Sequence, residues 1–425
     1  MNERDSEEIL AGLIARGYAR VDLPETADLI LMNTCSVREH AEDRVWGKLG
    51  QLRYLKEERP HTIFGLLGCM AQAHQAEIRK KLPHVDLVCG PGEIQRIPGY
   101  VEELRESRNG GPKLRTEFAR DLDAPSGFDY RTHPFKAFVT IMEGCNKTCA
   151  YCLIPYTRGK ERCRAPQSVL AEVRSLVQRG YKEITLLGQN VNSYGKFLEP
   201  KTDFADLLRQ VAALDAPERI RFTTSHPWDA VPRMYEAMRD CPNICPHLHL
   251  PAQSGADTTL KRMRRGYTRE KFLDQVQQLR ATVPGLALTT DIIVGFPGET
   301  AEEFQETVSL MEEVRFDSAF VFKYSPRPHS PAAEVPDDVP QALKEDRNRI
   351  LLDLQREISR EIYLSRIGTI EEVLVEERSK KGQLFGRTPD HKNVAFDGPD
   401  DWMGQTLRVR IDDATPNTLI GSPVE

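Results

Sequence analysis

Apolar residues at two spacings organise the first hundred positions. In SEEILAGLIARGY they recur three and four apart, the period of a helix with one buried face, and Asp5 and Ser6 stand where an N-cap belongs. ADLILMNTC, TIFGLLGCM and VDLVCGPG are short apolar runs, read as buried strands. The charged segments EHAEDRVWGKLGQLRYLKEE and AHQAEIRKKL between them are read as helices. Alternating helix and strand predicts a parallel α/β domain over residues 1–104. Cys35, Cys69 and Cys89 each fall at the end of such a run, the carboxyl edge where open α/β sheets place their sites. The chain opens on a helix, so the strand expected before it is missing from the pattern.

Residues 105–132 lose periodicity and carry Gly, Pro and mixed charge, which predicts a linker. Residues 133–362 hold six strand candidates: AFVTIME, EITLLGQN, IRFTTSHP, PHLHLPAQS, LALTTDIIVGFPGE and SAFVFKYSP. Helical patterns separate most of them. Val169, Val173 and Val177 share one helix face, and Thr300 with Glu303 forms a capping box. Six β/α units predict a partial (β/α)6 barrel. Polar residues gather just past its strands: Gln189 and Asn190, Ser225 and His226, Gln253 and Ser254, Gly298 and Glu299. That rim carries the chemistry in barrels. In residues 363–425, five short strand patterns between turn signals predict a small all-β barrel.

Composition narrows the setting. The 425 residues are 40% hydrophobic and 29% charged, a soluble mixture. No apolar run approaches the ~20 residues of a membrane helix, and MNERDSEEIL is too polar for a signal peptide. The net charge of -6 argues against nucleic-acid binding through overall charge, though not against a local basic groove. Nine cysteines are an odd count without a disulfide framework, which suits thiolate metal sites in a reducing, cytoplasmic setting.

The chemistry concentrates in IMEGCNKTCAYCLIPYTRGKER. Cys145-x3-Cys149-x2-Cys152 is not the paired spacing of a zinc site. It offers three thiolates to one compact object, and an iron–sulfur cluster held by three thiolates keeps one iron open. Packing or zinc binding by the same cysteines is the bland alternative. This motif at the end of a first barrel strand resembles the radical S-adenosylmethionine (SAM) superfamily. The segments NTCSVREHAEDRVWGKLG, GCMAQ, LLGQNVNSYG, TSHP, HLHLPAQSG, RMRRGYTRE, DIIVGFPGET and KYSPRPHSPA extend the likeness. In order, they resemble the methylthiotransferase family, most closely its MiaB branch, over essentially the whole chain.

The resemblance implies an N-terminal methylthiotransferase domain, a radical SAM core and a C-terminal TRAM domain that binds RNA. It implies methylthiolation at carbon 2 of N6-isopentenyladenosine at tRNA position 37, with SAM as both radical source and methyl donor. Cys145, Cys149 and Cys152 would hold a 4Fe-4S cluster, and Tyr151 would lie near the SAM adenine. Gln189, Asn190, Ser225, Gln253, Gly295 and Glu299 are the other expected SAM contacts. Cys35 and Cys69 match two of three ligands of a second 4Fe-4S cluster. The third belongs to a motif that would precede Met1, so a start upstream of Met1 is expected. Cys89 is a possible substitute; Cys163, Cys241 and Cys245 are read as structural thiols. His226, His247 and His249 are possible acid–base groups, with barrel packing the expectation for the last two.

The basic segments RGKER (Arg158–Arg162) and KRMRRGYTREK (Lys261–Lys271) are suited to RNA phosphates. The expected partners are tRNA, an external electron donor and a sulfur donor, with no membrane. Competing readings are a sister methylthiotransferase acting on threonylcarbamoyl-adenosine or a ribosomal-protein aspartate, an iron–sulfur electron carrier, and a zinc-stabilised RNA-binding protein.

Overall fold

The computed structural model describes residues 1–36, 39–106, 113–118, 120–124, 130–214, 217–380 and 382–424. The chain divides into two compact units. The first comprises Met1–Pro134, Thr140–Ser168 and Arg327–Ala333; the second comprises Phe135–Val139, Val169–Pro326 and Glu334–Glu425.

The first unit is built on four strands in sequence order: β1 (Leu29–Thr34), β2 (Ile63–Gly68), β3 (Leu87–Cys89) and β4 (Lys113–Arg115). Every pair is parallel. Alternation along the strands sends successive side chains into two cores. Phe64, Leu66 and Val88 face one, with Leu49, Leu55 and Ile78 from the helices Glu39–Gln51, Arg53–Glu58 and Gln75–Lys81. Ile63, Leu67, Leu87 and Cys89 face the other, under Ile9 and Leu13 of Asn2–Ile14 and Ile97 and Val101 of Ile97–Glu106.

Three details differ from the sequence pattern. The first helix begins at Asn2, and Asp5 is not its cap but a fully buried side chain within it. The long charged helix is two helices that meet at Leu52. The stretch read as a linker supplies β4; its residues 107–112, 119 and 125–129 lie outside the described residues.

After β5 (Lys136–Thr140) the chain forms β6 (Met142–Glu143) and β7 (Arg162–Cys163), an antiparallel pair that closes the cysteine segment into a loop. The second unit then adds β8 (Glu183–Leu187), β9 (Arg219–Phe222), β10 (His247–His249), β11 (Ala287–Val294) and β12 (Ser318–Lys323). They form two three-stranded sheets, β5-β8-β9 and β10-β11-β12, joined by a parallel bridge between Ile220 and Ile244. All six expected strands are present, the partial barrel of the sequence reading. Val169, Val173 and Leu176 form the buried face of Pro166–Gln178, and Leu176 takes the place expected for Val177. The Thr300–Glu303 capping box is present; a second, Asp203–Asp206, escaped the sequence pattern.

The helix Gln341–Leu364 leads into a closed barrel of β13 (Ile370–Arg378), β14 (Leu384–Arg387), β15 (Asn393–Phe396), β16 (Thr406–Thr415) and β17 (Thr418–Pro423), in the order β13-β14-β15-β17-β16. Val373, Val375, Phe396, Val409 and Ile411 fill it. No helix among the described residues is long and apolar enough to cross a membrane.

Candidate functional site

The cysteine loop is pinned at its neck. Gly144 has φ 77°, and a Cβ there would stand 2.1 Å from the Lys160 carbonyl oxygen, so only glycine lets the two chain ends cross. The Cys145 N–H donates to Gly159 O at 3.2 Å. Inside the loop, backbone N–H groups point at sulfur: Lys147 N to Cys145 Sγ at 3.5 Å, and Ile154 N to Cys152 Sγ at 3.4 Å. Burial pushes the Cys145 thiol up to about 11, and the nearby Cys149 and Glu161 add to the shift. A soft cation that replaces the protons would remove that cost.

The donor set thus fits a cluster: three thiols on one loop, with amides aimed at two of them. Tyr151 is half-buried within the loop.

A second pair of thiols comes from register. β1 and β2 pair in parallel up to Thr34 opposite Gly68, so Cys35 and Cys69 are the next residues out of two neighbouring strands. Cys69 starts the short helix Cys69–Ala73 and lies near the Arg158 guanidinium; Cys35 lies near the Met1 amino group. Cys89 is different. It is fully buried among Ile63, Leu87 and Ile94, and burial pushes its thiol far up, the setting of a core residue. Cys163 sits in β7 opposite Met142, and Cys245 is buried with its thiol pushed up to about 11.

Arg158 corrects the reading of RGKER as a phosphate-binding surface. Its side chain is 2% exposed and donates to Asp5 Oδ2 at 2.6 Å and Glu143 Oε1 at 2.8 Å. Arg120, from the presumed linker, joins the same two carboxylates at 3.0 and 2.5 Å and also pairs with Glu8. Arg162 closes the set through Glu143 Oε2 at 3.3 Å. Three arginines and three carboxylates knit the first helix to the cysteine loop. Sequence reasoning missed this because partners such as Asp5 and Arg158 are 153 positions apart.

In the second unit the expected SAM contacts follow the carboxyl ends of β8, β9, the segment after β10, and β11. Four of them carry buried polar atoms without hydrogen-bond partners among the described residues: Asn190 Oδ1, Ser225 Oγ, Gln253 Oε1 and Glu299 Oε1. Buried polar groups are usually paired, and these four oxygens, just past strand ends, are available to accept from a polar ligand. Backbone strain accompanies them. Thr224 and Gln253 have φ 72° and 70°, left-handed values uncommon for non-glycine residues.

Three of these four residues are also held. Asn190 Nδ2 donates to Asp229 Oδ2 at 2.6 Å, and Asp229 in turn pairs with Lys196. Gln253 bridges to β11 beside Ile292. Glu299 Oε2 accepts from Gly295 N at 2.7 Å and from Arg347 Nη1 at 2.6 Å, while burial raises its carboxyl above the usual range despite Arg347. Gly295, at φ 69°, approaches Lys344 so closely that a Cβ would stand 2.3 Å from it. Gln189 is half-buried.

The three candidate histidines all make local contacts. His226 Nδ1 accepts from Trp228 N, capping a turn. His247 stacks on His391 at 4.7 Å, and His249 bonds Thr289 at 3.0 Å. The KRMRRGYTREK segment is also partly committed. Arg265 is buried against Pro251 O, Arg262 pairs with Glu303 and Arg269 with Glu313; Lys261, Arg264 and Lys271 are exposed without an ion pair among the described residues, Lys271 lying over the Trp228 ring at 5.1 Å.

Comparison with known proteins gives these features a context. Residues 139–311 match the radical SAM superfamily, residues 1–90 the family described as uncharacterized protein family UPF0004, and residues 364–424 the TRAM domain. Fold and site thus define a radical SAM enzyme, a class that uses a 4Fe-4S cluster and SAM. Two relatives are named tRNA-2-methylthio-N(6)-dimethylallyladenosine synthase. That of Clostridium botulinum (strain Loch Maree / Type A3) is 46% identical, covering 100% of this chain and 95% of its own. That of Carboxydothermus hydrogenoformans is 44% identical, covering 97% and 94%. The chain belongs to the tRNA-2-methylthio-N(6)-dimethylallyladenosine synthase family.

Among solved structures, the radical SAM methyltransferase TsrM from Kitasatospora setae aligns with a TM-score of 0.53 at 16% identity, over 77% of this chain and 67% of that one. The cobalamin-dependent radical enzyme OxsB aligns at 0.51 and 13%, over 95% and 61%. These likenesses show the fold alone.

Proposed function

We infer that this chain methylthiolates carbon 2 of N6-isopentenyladenosine at position 37 of tRNA, with SAM as methyl donor and radical source. The observation that carries this is full-length likeness, at 43–46% identity, to enzymes named for that product. When bound, the cluster and SAM supply a carbon radical able to take a hydrogen of no useful acidity.

This chain's residues divide the remaining work. Cys145, Cys149 and Cys152 hold the cluster, and the amides of Lys147 and Ile154 stabilise two of the sulfurs as thiolates. Tyr151, Gln189, Asn190, Ser225, Gln253, Gly295 and Glu299 bind SAM. The unpaired oxygens of four of these supply acceptors for its ammonium and ribose hydroxyls. Cys35 and Cys69, on adjacent strand exits, are ligands of a second 4Fe-4S cluster that delivers sulfur. Residues 1–104, 133–362 and 363–425 act as methylthiotransferase, radical SAM and TRAM domains, joined in part by 105–132. An external electron donor and a sulfur donor complete the partners.

The test is anaerobic reconstitution of wild type and Cys149→Ala, followed by mass spectrometry of nucleosides from prenylated and unprenylated tRNA. The expected result is methylthiolation of prenylated tRNA only, and in the variant no SAM cleavage and less iron. Equal modification of both tRNAs would overturn the substrate assignment. Unchanged iron and SAM cleavage in Cys149→Ala would overturn the ligand assignment.

A further inference from the structure

Within the first unit, two exposed rings are stacked beside the cysteine loop. Tyr156 and His329 lie with centroids 4.0 Å apart and planes 10° from parallel. Tyr156 is 37% exposed, and His329 is exposed as well. Neither the phenol oxygen nor the imidazole nitrogens have a hydrogen-bond partner among the described residues. The pair covers one face of each ring and leaves much of both to solvent.

The surroundings hold this pair in place. Tyr156 belongs to the short helix Ile154–Thr157, four positions after Cys152, and the buried Thr157 anchors that turn through Leu153 O at 3.1 Å. His329 has φ 67°, a left-handed conformation uncommon for residues with a side chain, though histidine enters it more readily than most. The segment around it enforces that conformation. Arg327 reaches Glu42 at 2.9 Å, Ser330 is buried and donates to Arg327 O, and Ala332 N donates to Ala150 O at 2.8 Å. A ring pair in water returns little stability for such a conformation. The bland reading, local packing, does not account for a left-handed residue whose ring stays exposed.

We propose that Tyr156 and His329 form a stacking platform for a nucleobase of the anticodon loop. Unpaired bases of RNA loops are recognised by stacking on aromatic and imidazole side chains, and a platform already stacked and anchored takes a base at little ordering cost. Its attachment to the cysteine loop on both sides, through Ala150 and through the Ile154–Thr157 turn, gives it a fixed position relative to the loop where the reaction is proposed to begin.

The platform rests on tRNA being the substrate. The test measures binding of a fluorescent, prenylated anticodon stem-loop to reconstituted wild type, Tyr156→Leu, Tyr156→Trp and His329→Gly. Tyr156→Leu and His329→Gly should each weaken binding about ten-fold, and Tyr156→Trp should keep it within about two-fold. SAM cleavage without RNA and iron content should stay at wild-type values. On wild type, an abasic nucleotide at one loop position should lose a similar factor, and that loss should vanish in Tyr156→Leu.

If Tyr156→Leu loses iron, His329→Gly decides, because its ring departs from outside the cysteine loop. Wild-type-like binding by the iron-loaded variants overturns the platform alone. A wild-type protein that binds no stem-loop overturns the tRNA reading and the platform with it.

Discussion

Ser225 shows what one residue decides at the rim. Its hydroxyl is buried after β9 without a partner among the described residues, next to Thr224 at φ 72°. An unpaired buried hydroxyl costs about 1–3 kcal/mol. Ser225→Ala should therefore leave the ligand-free protein as stable or raise its melting temperature, while weakening SAM binding several-fold. Calorimetry with and without SAM separates the two effects; equal SAM affinity would remove Ser225 from the site. The cysteines show how far single residues could be read. Close spacing marked Cys145, Cys149 and Cys152 without any structure. Cys35, Cys69 and Cys89 look alike in sequence, each at a strand end. The fold places Cys89 within β3, packed among Ile63, Leu87 and Ile94, while Cys35 and Cys69 leave neighbouring strands side by side.

At the scale of elements, the network of Asp5, Glu8, Glu143, Arg120, Arg158 and Arg162 fixes the first helix against the loop between β6 and β7. Removing one partner of a buried ion pair strands the other charge, at about 3–5 kcal/mol. Arg158→Met should lower stability by that order in denaturant unfolding, and Arg158→Lys should not rescue it, since a single ammonium cannot reproduce the fork. The network also predicts a pH effect. Burial alone would push the Asp5 carboxyl up, but Arg158 and Arg120 hold it below the usual range. A carboxyl depressed in the folded state stabilises fully above its unfolded value, near pH 3.9, and that contribution is lost as pH falls through the lower folded value. Acid unfolding below about pH 4 should thus be shallower in Asp5→Asn, a variant already less stable at neutral pH.

At the scale of the molecule, the C-terminal barrel is part of the second unit. Arg219 and Arg221 of β9, both buried, donate to the carbonyls of Arg387, Thr388 and Pro389 at 2.5–2.9 Å. Lys392 pairs with Asp317 at 2.7 Å, and His391 stacks on His247. Removal of residues 364–425 would leave two buried arginines without these acceptors. The truncated protein should be insoluble or melt well below the full chain; an equally stable truncation would show the barrel to be independent. RNA affinity is better probed by surface substitutions. The histidine pair adds a second pH effect. Burial holds His247 well below its ordinary value, and His391 at about 3. Both stay neutral while unfolded histidines protonate below about pH 6.5, so stability should fall with acidification by up to about 1.4 kcal/mol per pH unit for each. His391→Phe should flatten that slope in unfolding curves between pH 7 and 5.

Local pattern and spacing alone determined the six core strands, the five barrel strands and the cysteine loop. Each depends on residues near one another in the chain: alternation for strands, a capping box at Thr300, three thiols within eight positions. Tertiary structure decided what depends on distant partners. It made Asp5 an ion-pair anchor and not a cap, turned Arg158 from a presumed phosphate contact into a buried strut, and found β4 in a presumed linker. It left four rim oxygens without partners among the described residues. A charge reads the same in sequence whether it faces water or a counter-charge more than a hundred positions away, and only the fold sets which of these it meets.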